Sequence, residues 1–184
     1  IEWLNGDSEW RDETRGGLLR AFLAYPFRPV ETVTSLVDRP DATLGRWDGL
    51  TLDRPVVGLA GNDAHARLGF SDGADDPYRS RILIRLPTYE VVFEAFSMRV
   101  ELERPFSGDA GEDAAGLLAA LKRGRVYSVV DGMAAPAAFE FAARSGAHLA
   151  RQGEGLELDG PVRVEVHTNG PPGSTITLVR DGRP

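Results

Sequence analysis

The sequence predicts an α/β fold that gives way to antiparallel β structure after Gly132, and three observations carry the prediction. A short apolar strand at the start is followed by helical segments and then by the continuously apolar run Val56-Val57-Gly58-Leu59-Ala60, the signature of a strand covered on both faces in a parallel sheet. Two later stretches repeat apolar residues at helical spacing. Beyond Gly132 the apolar residues alternate with polar ones, as in strands with one face buried.

Taken in order, Ile1 to Leu4 reads as a strand ending at the turn pair Asn5-Gly6. Leu18, Leu19, Phe22 and Leu23 recur at helical spacing until Pro26 stops the run. Pro29 suits a first helical position, with Val30, Val33 and Val37 on one side. Asp41 can cap a further helix carrying Leu44 and Trp47. The polar stretch "SDGADDPYRS" reads as a loop, and Ile82 to Leu86 as a strand. Tyr89, Val92, Phe93 and Phe96 fit one helical stripe, and Ala114, Leu117, Leu118 and Leu121 another. The second helix has Asp109 and Glu112 as a capping pair and Gly124 at its end, after Lys122 and Arg123.

From Gly132 onward, Phe139 and Phe141 alternate with their neighbours, as do Val162, Val164 and Val166, and then Ile176 and Leu178. The turn-rich "HTNGPPGST" between the last two runs predicts a hairpin. Residues 132–184 are therefore expected to form a small β-rich domain packed against residues 1–131. No repeat or low-complexity tract interrupts the chain.

Composition narrows the functional classes. The chain has 184 residues, 42% hydrophobic and 27% charged, enough for a buried core. Its net charge of −7 comes from 28 acidic and 21 basic residues without a long single-sign block, which disfavours a nucleic-acid backbone as partner. The absence of cysteine excludes disulfides and thiolate metal sites, so any metal must be held by His, Asp and Glu. This fits a reducing compartment, and equally a periplasmic or secreted setting. No apolar stretch approaches the ~20 residues of a membrane span.

The stretch "GLAGNDAHARLG", residues 58–69, holds the most specific chemistry. At the end of an expected strand, Asp63 and His65 can aim a carboxylate oxygen and an imidazole nitrogen into one hollow, a donor set that suits zinc, manganese or iron. A catalytic zinc ordinarily takes three protein ligands, and His148 and His167 both fall in the β portion. Asn5, Asp7, Asn62 and Arg67 are placed to face the same hollow, and Asn5, Asn62 and Arg67 are the candidate substrate contacts. Glu9, Asp12 and Glu13 suit a solvated helix start. Asp72, Asp75 and Asp76 lack the spacing of a calcium loop. Arg123 and Arg125 could meet phosphate, but their place at a helix end already accounts for them. No nucleophile elbow, P-loop or dinucleotide fingerprint is present.

"GLAGNDAHARLG" resembles the last metal-binding motif of the PHP (polymerase and histidinol phosphatase) superfamily, a Gly-[Ser/Asn]-Asp-Ala-His stretch after a late barrel strand. "IEWLNGDSEWRDE" is similar to an earlier strand of predicted PHP metal-dependent phosphoesterases. "LLAALKRGRVYSVVDG" is similar to a segment after the barrel, and "PPGSTITLVRDGRP" to the β-rich tail of two-domain members. The resemblance implies the C-terminal portion of a (β/α) barrel followed by a small antiparallel β domain. It also implies Asp63 and His65 as ligands of a metal cluster that activates water against a small-molecule phosphate ester. The family's early His-x-His motif is absent and the chain opens at Ile1 rather than Met. The expectation is a fragment whose other ligands lie upstream, with weak metal binding and little hydrolysis of its own. The competing expectation is a noncatalytic interaction module that binds glycan or protein through its β face.

Overall fold

The structure is a computed structural model, and it describes residues 1–11, 13–65, 68–70, 81–84, 86–134 and 138–180. The chain opens with β1 (Glu2–Asn5), followed by four helices: α1 (Gly6–Arg11), α2 (Arg15–Ala24), α3 (Pro29–Thr34) and α4 (Asp41–Thr51). Then come β2 (Leu59–Gly61), β3 (Leu68–Phe70), β4 (Arg81–Ile84), α5 (Tyr89–Ala95), β5 (Ser97–Val100), α6 (Ala110–Lys122) and β6 (Val126–Val129). The chain continues with β7 (Phe139–Ser145), β8 (His148–Arg151) and β9 (Val162–Thr168).

These strands form four small sheets rather than the expected barrel. β1 and β2 pair in parallel, β3 pairs with β4 and β5 with β6 in antiparallel ribbons, and β8-β7-β9 form a three-stranded antiparallel sheet. No sheet closes on itself among the described residues. The physical reason lies in the run read as a doubly covered strand. Only Leu59–Gly61 joins a ladder, Val56 and Val57 lie outside it, and Leu59 is 39% exposed. A barrel strand needs a hydrogen-bonded neighbour on each side; β2 has one.

The main core gathers Leu4 of β1, Tyr25 after α2, Val33 of α3, and Ala95 and Phe96 at the end of α5. Trp3, Val37, Ala60, Leu86 and Val91 pack around it. Val92 and Phe96 are buried as their spacing predicts, whereas Tyr89 and Phe93 stack on each other in solvent with ring centroids 6.5 Å apart. Likewise α2 forms where expected, capped by Thr14, whose hydroxyl accepts from Gly17 N at 3.1 Å. Its Leu19, Phe22 and Leu23 nonetheless stay exposed, and only Ala21 is buried. Asp41 is the first residue of α4, and the cap position falls on Pro40.

In α6 the Asp109 side chain accepts from Glu112 N at 2.9 Å, and Gly124 follows the helix with φ of 75°. Glycine takes this left-handed conformation without the clash a Cβ would make. Past residue 138, β7 pairs with β9 over Phe139–Ser145 and with β8 through a turn at Gly146. The expected hairpin partner, Ile176 to Leu178, is not a strand; the second hairpin strand is β8. Contacts to the preceding residues come from Tyr127 against Phe139, ring centroids 5.4 Å apart, and from Arg125 to Glu154 at 2.7 Å. No described helix is long and apolar enough to cross a membrane.

Candidate metal site

Parallel pairing of β1 with β2, Asn5 opposite Gly61, brings the C-terminal ends of both strands to one edge. The residues that follow each strand therefore meet there. After β1 comes Gly6 and then Asp7 at the start of α1; after β2 come Asn62, Asp63 and His65. The close approach depends on Gly6, where a Cβ would fall 2.5 Å from the Asn62 backbone oxygen and 3.2 Å from the Phe96 ring.

One ligand atom each from Asp7, Asp63 and His65 lies within 4.8 Å of the others. His65 Nδ1 is 3.6 Å from Asp63 Oδ1 and 3.9 Å from Asp7 Oδ1, and 2.7 Å from the Asp63 carbonyl oxygen. Zinc binds N and O ligands at ~2.0–2.2 Å, which sets two donors of one tetrahedral ion about 3.4 Å apart. Ligation through Nδ1 requires that nitrogen to leave the Asp63 carbonyl, to which it can only donate, and to present its lone pair, with the side chains drawing slightly together. All three side chains are partly open to solvent. Asp63 also has φ of 43°, the only non-glycine residue with positive φ among those described. Asp tolerates this region better than most residues, and such strain concentrates at functional loops.

The two asparagines hold this edge together. Asn5 Oδ1 accepts from Asp7 N at 3.0 Å and Ser8 N at 3.1 Å, which fixes the start of α1. Its Nδ2 donates to Asp63 Oδ2 at 3.1 Å and to Glu2 Oε2 at 3.2 Å. Asn62 Nδ2 donates to the carbonyls of Val92 at 2.9 Å and Phe96 at 3.1 Å, which pins the loop after β2 to the end of α5. A carboxamide has two N–H donors, and here both are used inside the protein in each case. Asn5 and Asn62, expected as substrate contacts, both lie at this site, and their amide N–H groups bond within the protein. Arg67 lies outside the described residues, as do Asp12, Asp72, Asp75 and Asp76.

Sequence reasoning selected Asp63 and His65 as ligands but not Asp7, and it passed over Glu2, whose carboxylate shares the Asn5 amide with Asp63. Their signal was present only in the register of β1 against β2. Glu9, read as a solvated helix-start residue, is instead 8% exposed and accepts from Asp38 N at 2.8 Å. His148 and His167 belong to β8 and β9 and are not members of this group. Arg123 pairs with Glu103, and Arg125 with Glu103 and Glu154. No protein-family profile, curated protein or solved structure matches the chain.

Proposed function

We propose that Asp7, Asp63 and His65 hold a divalent zinc, manganese or iron ion, and that the site acts on a small-molecule phosphate ester by hydrolysis. The convergence of these three ligand atoms at the end of a parallel strand pair carries the reading. Two carboxylates and one imidazole are a mixed O and N donor set of the kind these ions accept, and three protein ligands leave coordination positions open. When bound, the ion supplies an activated water and positive charge for the phosphoryl oxygens.

The protein's own part is placement. Asp7 and Asp63 bring two negative charges to one edge, which offset those of a dication. Asn5 orients the Asp63 carboxylate and fixes the turn that carries Asp7. The PHP-like segments of the sequence support the phosphate ester as substrate class; the barrel forms no part of the reading. Among the described residues there is one such ligand group. Many phosphatases clamp the phosphoryl group between two ions, so turnover by this chain alone is expected to be slow.

Product binding therefore tests the substrate class better than turnover. Titration of inorganic phosphate into the chain, with and without Mn²⁺, should show binding only in the presence of the metal. Mn²⁺ binding with no effect on phosphate affinity would contradict the phosphoester assignment while leaving the metal site standing.

A further inference from the structure

A cleft of about 400 Å³ runs between the β5–β6 ribbon and the β7–β8 hairpin, built from residues other than the metal-site group. We propose that it binds a neutral carbohydrate, one or a few pyranose rings. Its volume falls within the range of roughly 300–1,000 Å³ usual for small-molecule sites.

The wall of the cleft is aromatic. Tyr127 of β6 and Phe139 of β7 meet with their rings 5.4 Å apart and tilted by 51°, and both remain partly exposed in the cleft. Partly exposed aromatic rings offer the apolar C–H face of a sugar a surface to pack on, while a Tyr hydroxyl adds a polar handle.

The charges on the lining decide which ligand fits. Arg99 and Arg151 are matched there by Glu101 and Glu140. Arg99 is already committed to Asp131 at 2.6 Å, and Arg151 lies 3.7 Å from Glu101. An anion such as phosphate would have to compete with the carboxylate already beside each guanidinium, and the balanced lining gives no net attraction to a charge of either sign. What remains is a set of oriented donors and acceptors around an apolar wall, the arrangement that suits vicinal hydroxyls on a flat, uncharged ring. Gln152, whose Nε2 donates to the Val126 carbonyl, adds an amide at the rim and ties the hairpin to β6.

The test is a titration of the ¹⁵N-labelled full chain, followed by amide chemical shifts. The probes are glucose, galactose, mannose and N-acetylglucosamine, with maltose and cellobiose; uridine and inorganic phosphate serve as controls. At least one saccharide should shift amides of β6 and β7 with a Kd of about 1 mM, while uridine and phosphate leave them unmoved. Tyr127→Ala should weaken that binding at least tenfold. Because Tyr127 also packs between the sheets, Glu140→Gln, an exposed change, should weaken it severalfold with the amide dispersion unchanged. Absence of shifts with every saccharide overturns the proposal. So do shifts with uridine or phosphate alone, or a saccharide affinity that Glu140→Gln leaves unaltered. Metal binding at Asp63 and His65 is not an input to any of these outcomes.

Discussion

Asn5 Nδ2 lies 3.1 Å from Asp63 Oδ2 across 58 residues of sequence, while the other end of the same amide accepts from Asp7 N. One side chain thus sets the positions of both carboxylates of the ligand group. Asn5→Ala is expected to weaken divalent metal binding by roughly 10–100-fold, as loss of a group that orients a ligand does. It should also remove a helix-start contact worth about 1 kcal/mol. Asn5→Ser separates the effects, since a hydroxyl keeps an acceptor for the α1 N–H groups but cannot span to Asp63. Titration calorimetry and a thermal melt should find Asn5→Ser near wild type in stability and impaired in metal affinity. Unchanged affinity in both variants would refute the positioning role.

Asp63→Gly should raise stability while removing a ligand. The residue sits at φ of 43°, where a side chain costs about 1 kcal/mol and glycine costs little. For a chain of this size such a gain moves the melting midpoint up by about 2–4 °C. A lower midpoint would mean that the Asn5 contact outweighs the strain.

Gly6→Ala probes the approach of the two loops. The added methyl would meet the Asn62 backbone oxygen at 2.5 Å, an atom that cannot swing aside. The expected cost is about 1–3 kcal/mol, read from the denaturation midpoint, with metal affinity falling in parallel because Asp63 follows Asn62 directly. A variant as stable as wild type would show that the loops do not meet this closely.

The loop before α6 should loosen in acid. Ser107 N donates to Asp113 at 2.8 Å, and Gly108 N at 2.9 Å; these bonds, the Ser107 amide foremost, hold the Asp113 carboxyl below its ordinary pKa. A depressed folded-state pKa stabilises above the unfolded value of about 3.9 and loses its effect as pH falls through the folded value. Hydrogen exchange at Ser107 and Gly108 should therefore be protected at pH 6, relative to Asp113→Ala, and the difference should vanish below the folded pKa. Equal protection in wild type and variant at pH 6 would contradict this.

The local parts of the site were legible and the nonlocal ones were not. Asp63 and His65 stand two apart after an apolar run, so sequence alone brought them together. Asp7 reaches them only because β1 runs parallel to β2 with Asn5 opposite Gly61, and no spacing encodes that register. The barrel expectation failed on the same ground. Val56 to Ala60 records apolarity but not the number of neighbouring strands, and an exposed Leu59 shows that one covering layer is absent. The alternation of Phe139 and Phe141 correctly marked β7. That of Ile176 and Leu178 falls in no strand among the described residues, while the hairpin strand that does pair, β8, hid in the mixed run His148–Arg151.

Metal stoichiometry is the most direct test of the ligand group. The wild-type chain, dialysed against Mn²⁺ or Zn²⁺ and measured by elemental analysis, should retain a single ion per chain. Asp7→Asn, Asp63→Asn and His65→Ala should each lose it while keeping the wild-type far-UV circular dichroism spectrum. Asp7→Asn is the decisive variant, because only the folded register of β1 and β2 makes Asp7 a ligand. A wild-type chain that retains no ion, or an Asp7→Asn chain that retains it in full, would contradict the account.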